Sequence, residues 1–426
     1  MLGFNRLKGE GSPSTLFAAF FYFDFSFMVW TMLGPLSSEI AETLSSNGFL
    51  MTPSEEATLL AVPILSGAFL RIALGYLVGR IGAKKTALYA QIIVIFTLFY
   101  VARLGEYITY EELLVVGLGL GFAGASFAVA LPQAGQWYPQ RLQGVVLGIT
   151  AIGNMGVVIG FLFAPKISEL WGWKTVFLIS GFLAVFIFIM YLIMAKDAPK
   201  EVYVPRPKKL LDYARLLKDR DTWWFNLFYA VSFGAFVGFA VYMKVYLMAT
   251  YFDEMEIFGE DVLKEENVQV VAGGFAALCI MAGALLRPAG GAIADRIGGI
   301  KSLYIFLLSV SILSFINAFI ALPFWVAIVV MFLIMANLGM ANGAVFQLVP
   351  QRFSKDIGIM TGIIGAAGAL GGVAILQILG TSTLFFGDYS IGFILIAIIA
   401  LVAIAGVSLV KSRWRTTWGM KSGGII

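Results

Sequence analysis

The chain has 426 residues, of which 60% are hydrophobic and only 13% are charged, with a formal net charge of +4. Together with a mean hydropathy of +0.90, this composition lies far outside the range of soluble globular proteins and indicates an integral membrane protein. The single cysteine, Cys279, excludes an internal disulfide, and because the chain has no histidine we expect no transition-metal site, no cofactor and no redox chemistry.

Apolar runs of about twenty residues, each long enough to cross about 30 Å of hydrocarbon, recur along the whole chain. They predict an all-α membrane protein with twelve transmembrane helices in two pseudo-symmetric six-helix halves, residues 1–195 and 222–426, joined by a cytoplasmic linker over 196–221. The predicted spans lie near 16–38, 55–79, 85–104, 111–137, 142–165, 173–195, 222–250, 268–294, 301–321, 324–350, 357–380 and 390–410.

Basic residues collect in alternate connections between these spans, and such residues mark the cytoplasmic side of a membrane. The linker is rich in lysine and proline, whereas Glu39, Glu42 and the acidic run over 253–266 fall on the opposite side. This distribution predicts a multi-pass protein of the inner membrane with both termini in the cytoplasm. We expect the basic linker to contact the lipid bilayer rather than nucleic acid, and we expect a monomer.

An internal repeat stands out at residues 66–85, SGAFLRIALGYLVGRIGAKK. Residues 282–301, AGALLRPAGGAIADRIGGIK, match it at ten of twenty positions with an offset of 216, since 287 − 71 = 216. The matches include Arg71 with Arg287 and Gly75 with Gly291. Each half therefore has one arginine inside a predicted membrane helix.

An arginine near the middle of a membrane helix costs roughly 2.5–3.5 kcal/mol on insertion scales, and such residues usually have a function. Snorkelling to the surface or pairing with a buried carboxylate are the simpler explanations. Because six spans separate the two copies, the halves are parallel repeats that place Arg71 and Arg287 across a central axis. Two guanidinium forks facing each other suit a small oxyanion.

The turns that follow the two arginines resemble the loop motif of the major facilitator superfamily, and this resemblance extends over essentially the whole chain. The motif residues are Arg80 in GYLVGRIGAKK and Asp295 and Arg296 in GGAIADRIGGIK. Gly79 stands where the second copy has Asp295. A carboxylate latch between helices is therefore expected only in the C-terminal half.

Within that superfamily the chain resembles the NarK-like nitrate/nitrite porters. The similarity lies in GLGLGFAGASFAVALPQ at 117–133, NLGMANGAVFQLVPQ at 337–351, IGNMG at 152–156 and FYAVSFGAFVGF at 228–239. The resemblance implies transport of nitrate, and of nitrite as a second substrate, across the cell membrane by alternating access. It assigns substrate contacts to Arg71, Arg287, Tyr229, Asn154, Phe127 and Phe346.

Phe127 and Phe346 could sandwich a planar anion, although ordinary core packing is equally open for them. Glycines of the signature helices would let neighbouring helices approach and slide, and simple packing explains them as well. These glycines are Gly121, Gly124, Gly153, Gly156, Gly339, Gly343, Gly365 and Gly368.

Asp24, in the first predicted span, is the one acidic residue that we place within the hydrocarbon depth. An intramembrane carboxyl group suits a proton carrier, which favours nitrate/proton symport, and a purely structural aspartate is the alternative. Nitrate/nitrite exchange without protons is the close rival.

Other functions remain open from the residues alone. They are a facilitator for another small anion such as formate, an anion channel and a membrane sensor. The spans lack further basic residues in this interpretation, which argues against multivalent phosphate esters. No nucleophile and base pair, metal set or phosphate loop is visible, so we do not expect an enzyme.

Overall fold

The structure is a computed structural model that describes residues 11–105, 108–138, 146, 150, 152–198, 210–252, 265–320, 322–353 and 356–419. Its helices are α1 (Pro13–Trp30), α2 (Ser37–Ser46), α3 (Pro53–Ile81), α4 (Ala83–Arg103), α5 (Tyr110–Gly124), α6 (Phe127–Gln136), α7 (Met155–Trp171), α8 (Trp173–Met194), α9 (Leu210–Leu217), α10 (Arg220–Leu247), α11 (Glu265–Ile297), α12 (Gly299–Phe319), α13 (Phe324–Phe353), α14 (Ile357–Phe386) and α15 (Ser390–Trp414).

These helices confirm the predicted fold class, because the described residues contain helices and no strand. Ten helical segments of the described chain are long and apolar enough to cross a membrane, with α5 and α6 counted as one. The first predicted span corresponds to the shorter α1. The fifth corresponds in part to α7, and residues 142–145, 147–149 and 151 of that span lie outside the described residues. The protein is thus a multi-pass membrane protein, while the number twelve stays a prediction.

Local sequence signals fix where the repeat helices begin and end. Thr52 caps the start of α3 in a capping box, in which the Glu55 amide donates to the Thr52 hydroxyl at 3.3 Å and the Thr52 amide donates to the Glu55 carboxylate at 2.8 Å. Gly82 and Gly298, which are equivalent in the repeat, follow the two arginine helices with φ of +90° and +97°. A side chain is strained in that conformation, so glycine permits the same sharp turn in both halves.

The two halves meet along pairs of long helices. Helix α3 of the N-terminal half packs along α14, and α7 packs against α11. Within the C-terminal half, α11 packs on α13 and α10 packs on α14. The arginine helices α3 and α11 therefore both line the contact between the halves, which is where the repeat predicts a binding site.

Candidate anion-binding site

Arg71 and Arg287 lie at the same depth of their helices. Each is ten residues before the helix end at the repeat turn, since 81 − 71 = 10 and 297 − 287 = 10, which corresponds to about 15 Å along the axis. This distance is about half the thickness of a 30 Å hydrocarbon layer, so both arginines lie near the middle of the membrane. Both side chains are buried, with Arg71 fully enclosed and Arg287 6% exposed.

Arg71 is held by backbone carbonyls from both halves. Its Nε donates to the Gly124 carbonyl at 3.0 Å, and its Nη1 donates to the Gly365 carbonyl of α14 at 2.5 Å. Its guanidinium carbon lies 4.9 Å from the centroid of the Trp30 ring, within the range of a cation–π interaction. Its Nη2 has no hydrogen-bond partner.

The Gly124 carbonyl is available because the helix breaks there. Helix α5 ends at Gly124 and α6 begins at Phe127. In a continuous helix the Ala128 amide would donate to Gly124, but it donates to Ala125 instead at 3.0 Å. The break in the glycine-rich signature thus supplies an acceptor for the buried guanidinium.

Arg287 has a different environment. Its Nη2 donates to the Tyr229 hydroxyl at 3.2 Å, and its Nη1 has no partner. Its guanidinium carbon lies 5.3 Å from the centroid of the Phe346 ring. The structure therefore brings Arg287, Tyr229 and Phe346 together, as the resemblance implied.

Phe233 joins the two arginines, and the sequence reasoning did not identify it. Its ring centroid is 5.6 Å from the guanidinium carbon of Arg71 and 5.9 Å from that of Arg287. The ring also stacks on Tyr229 with 4.9 Å between centroids. Phe233 follows Tyr229 by four residues, which places both on one helix face, so this spacing could have found it. Trp30 was missed too, and no sequence signal pointed to it.

Phe127 and Phe346 contact each other directly. Their centroids are 6.1 Å apart with an interplanar angle of 73°. This edge-to-face arrangement differs from the parallel pair expected of a sandwich. In this conformation the two rings pack over the arginines and leave no slot between parallel faces.

No carboxylate balances the two central charges in the part of the chain that the structure describes. Neither Arg71 nor Arg287 forms an ion pair there. The described part of the chain has four ion-paired contacts, and all of them involve other residues. Both arginines instead have aromatic faces, neutral oxygens and one unpartnered guanidinium nitrogen each. Uncompensated buried charge is costly, so the arrangement suits an anion between the two forks.

Asn154 and Asp24 form no hydrogen bond or ion pair with the two arginines in the described part of the chain. Asn154 is buried and its Oδ1 has no partner. Asp24 is half-buried with its Oδ1 unpartnered, and it faces the Gly156 amide rather than an arginine. Asp24 thus forms no ion pair with an arginine of the described chain.

The signature glycines lie at close helix crossings. A methyl group would come within 3 Å of another atom at seven of the eight, and within 3.3 Å of the Phe127 ring at Gly365. At Gly156 it would lie 1.8 Å from the Asp24 carbonyl oxygen, and at Gly343 2.2 Å from the Arg287 carbonyl oxygen. The close packing accounts for these seven: Gly121, Gly124, Gly153, Gly156, Gly339, Gly343 and Gly368.

The loop-motif residues are on the surface. Arg80 is exposed and stacks on Tyr76, with its guanidinium carbon 4.7 Å from the ring centroid. Asp295 and Arg296 are exposed, and Asp295 forms no hydrogen bond or ion pair with a described residue. Among the described residues the predicted latch at Asp295 has no partner, so the latch stays a prediction. In the first copy, by contrast, the Lys84 amide donates to the Asp197 carboxylate at 2.9 Å.

One expectation about the spans needs correction. Lys244 lies inside the predicted span 222–250 and is fully buried in α10, so the spans do have a further basic residue. It lies fifteen residues beyond Tyr229, since 244 − 229 = 15, or about 22 Å along the helix. Lys244 is thus remote from the two arginines, and it does not add charge to their site.

Comparison with known proteins agrees with this architecture. The family model described as the Major Facilitator Superfamily matches residues 15–376. A "Nitrite extrusion protein" of Bacillus subtilis is 32% identical over 381 residues, covering 88% of this chain and 89% of the relative. A "Probable nitrate transporter" of Staphylococcus carnosus is 32% identical over 379 residues, covering 89% and 91%.

A "Probable nitrate/nitrite transporter" of Mycobacterium tuberculosis is similar over more of the chain. It is 30% identical over 408 residues, which cover 94% of this chain and 97% of the relative. Both the family match and these relatives span most of the molecule, including the two arginine helices. The chain therefore belongs to the Major Facilitator Superfamily and is a transporter rather than an enzyme.

Proposed function

We propose that the protein transports nitrate, and nitrite as a second substrate, across the cytoplasmic membrane by alternating access. The printed names of its relatives are those of nitrate and nitrite transporters. The observation that carries the proposal is the pair of buried arginines that share the Phe233 ring and have no carboxylate partner among the described residues.

Nitrate fits the chemistry of this pair. It is planar and monovalent, and its oxygens can accept parallel hydrogen bonds from a guanidinium fork. Arg71 Nη2 and Arg287 Nη1 are the free donors. An anion between them offsets the repulsion of two cations, and the hydrogen of the Tyr229 hydroxyl, whose oxygen accepts from Arg287, is free to reach the same anion.

Binding of this kind couples to movement of the halves. Arg71 belongs to one half and Arg287 to the other, so an anion bound by both draws the halves together at the centre. Reopening on the opposite side then separates the two guanidinium groups and releases the anion. This is alternating access around a fixed midplane site, as parallel repeats favour.

Uptake of labelled nitrate into proteoliposomes tests the substrate assignment. We expect saturable uptake that excess nitrite inhibits and that excess formate leaves unchanged. In a counterflow experiment, we expect vesicles preloaded with unlabelled nitrate to accumulate labelled nitrate transiently. Stronger inhibition by formate than by nitrite would contradict the assignment. Absence of counterflow with rapid, unsaturable flux would indicate a channel instead.

Asp24 favours proton coupling over exchange. A carboxyl group lies within a membrane helix with one oxygen unpartnered, beside the backbone of α7, and such groups serve as proton carriers. Moving an anion into a negative interior costs about 2.3 kcal/mol per 100 mV, which co-transported protons offset. We therefore propose nitrate/proton symport with Asp24 as the carrier.

The Asp24→Asn variant tests this coupling. We expect an inward proton gradient to drive nitrate uptake in the parent protein and not in Asp24→Asn, while nitrate counterflow persists in both. Uptake that requires internal nitrite and ignores both the gradient and the substitution would establish an exchanger and give Asp24 a structural role.

A further inference from the structure

Lys244 lies at the membrane face opposite the linker. Helix α10 begins at Arg220, at the end of the linker, and Lys244 follows 24 residues later, since 244 − 220 = 24, which is about 36 Å along the axis. Its side chain is fully buried. A lysine without exposure needs a strong partner, because burying an isolated ammonium group is costly.

The hydrogen-bond partners of Lys244 come from the other half. Its Nζ donates to the Pro35 carbonyl at 2.6 Å and to Glu39 Oε2 at 2.9 Å. Glu39 belongs to α2 of the N-terminal half, and its side chain is 16% exposed. The carboxyl groups of Glu42 and Glu56, from the same half, also lie near the ammonium group.

Neighbouring contacts close the halves on the same face. The Gln377 amide of α14 donates to the Thr58 hydroxyl of α3 at 3.1 Å. A methyl group at Gly380 would lie 2.5 Å from the Ala57 side chain, and one at Gly34 would lie 2.6 Å from the Val241 carbonyl oxygen. The helices from the two halves thus leave no room for an added carbon at these points.

Opening this face must separate Lys244 from Glu39. A lysine of one half cannot stay bonded to Pro35 and Glu39 once the halves part. In the closed state, loss of the lysine would leave the Glu39 carboxylate without its ion-pair partner, and breaking one member of a buried pair is strongly destabilising. The pair therefore favours the conformation that is closed on this face.

We propose that Lys244 is a further functional residue of the transport cycle, whose ion pair with Glu39 joins the halves and sets the fraction of molecules closed on the face opposite the linker. This inference rests on the proposed alternating access. It does not depend on which anion is transported, because the ion pair is remote from Arg71 and Arg287.

Cross-linking between the halves tests the proposal. In a Cys279→Ser background, which removes the single cysteine, Thr58→Cys and Gln377→Cys place two thiols where the native side chains touch. The rate of reaction with a short bis-methanethiosulfonate reports how often this face is closed. The measurement uses the full chain in proteoliposomes with no nitrate or nitrite present.

We compare Lys244→Met and Glu39→Gln with Lys174→Met. Lys174 is a matched control, because its Nζ also donates to backbone carbonyls, Leu104 at 3.2 Å and Gly105 at 2.5 Å, but both partners are in its own half. We expect cross-linking to slow at least about fivefold in Lys244→Met and Glu39→Gln, the lower end of typical conformational coupling. Lys174→Met should react like the parent.

Equal rates in the parent, Lys244→Met and Glu39→Gln would overturn the proposal, and so would an equal slowing in Lys174→Met. If Lys244→Met does not yield folded protein, Glu39→Gln decides alone. The Glu39 side chain is partly exposed, and glutamine has nearly the same shape as glutamate, so this variant should fold. Because no anion is present, a failure here leaves nitrate transport standing, and a failure of nitrate uptake leaves this result unchanged.

Discussion

Arg71 and Arg287 occupy equivalent positions of the internal repeat, but the protein surrounds them differently. Arg71 donates to two backbone carbonyls, one from each half. Arg287 donates to the hydroxyl of one side chain, Tyr229. A carbonyl inside a packed helix is fixed in place, whereas the hydrogen of a hydroxyl can rotate about its C–O bond. Arg71 is therefore the more rigid of the two.

The difference originates in the neighbouring helices rather than in the repeat itself. Helix α5 breaks after Gly124 and leaves that carbonyl for Arg71, whereas its counterpart α13 continues from Phe324 to Phe353. In a continuous helical segment each carbonyl accepts from the amide four residues later and is not left for an arginine. Equal positions in a repeat thus give the two arginines equal depth and charge, whereas the neighbouring helices determine how firmly each guanidinium group is held. We expect a fixed arginine and an adjustable one in the anion clamp.

Stability should separate the two arginines most clearly. Arg71→Met removes the donor to the Gly124 carbonyl and the donor to the Gly365 carbonyl. A buried polar group that loses its hydrogen bond costs about 1–3 kcal/mol. Arg287→Met loses one bond to a hydroxyl that can reorient. Removal of a buried charge affects both variants alike, so Arg71→Met should have the lower free energy of unfolding.

Thermal unfolding of the purified variants in detergent measures this difference. We expect the Tm of Arg71→Met to lie a few degrees below that of Arg287→Met, with Arg80→Met, at an exposed position of the same helix, close to the parent. A Tm that is equal in the two central variants would mean that the carbonyl contacts do not anchor Arg71.

Trp30 should matter for transport through its contact with Arg71. Its Nε1 donates to the Pro63 carbonyl at 2.8 Å, which fixes the indole plane beneath the guanidinium. A desolvated cation–π contact is worth about 2 kcal/mol, so Trp30→Leu should raise the KM for nitrate about tenfold or more. Trp325→Leu, at an exposed position, is the control, and an unchanged KM in Trp30→Leu would remove Trp30 from the site.

Tyr229→Phe should have the smallest effect. It deletes the hydroxyl that accepts from Arg287 and keeps the ring that stacks on Phe233. Loss of one hydrogen bond of about 1 kcal/mol should raise the KM for nitrate about fivefold with little change in protein stability. Tyr89→Phe, at the exposed surface of α4, controls for the substitution. A larger increase in KM for Tyr229→Phe than for Trp30→Leu would mean that nitrate binding depends more on the contacts of Arg287 than on those of Arg71.

The sequence predicted those features that depend on composition, periodicity and the repeat. It located Arg71 and Arg287 at equal depth, and the resemblance supplied Tyr229, Phe127 and Phe346, which do surround them. Trp30 could not be found this way, because its contact depends on how the indole at the end of α1 reaches α3, where a methyl on Gly67 would lie 3.1 Å from the indole nitrogen.

Contacts between the halves were also beyond the sequence. Lys244 and Glu39 are 205 positions apart and belong to different halves. The edge-to-face contact of Phe127 with Phe346 likewise joins residues of different halves. Residue type and helical spacing describe one helix and do not specify distances between residues of different halves, so neither contact could be predicted from the sequence.

Exchange of labelled nitrate across proteoliposomes without any proton gradient tests the central claim most directly, because it requires binding and alternation but no coupling. We expect Arg71→Lys and Arg287→Lys to abolish exchange while Arg80→Lys retains it, since lysine keeps the charge but loses the planar fork. Exchange at parental rates in both Arg71→Lys and Arg287→Lys would contradict the account of an anion held between two guanidinium groups.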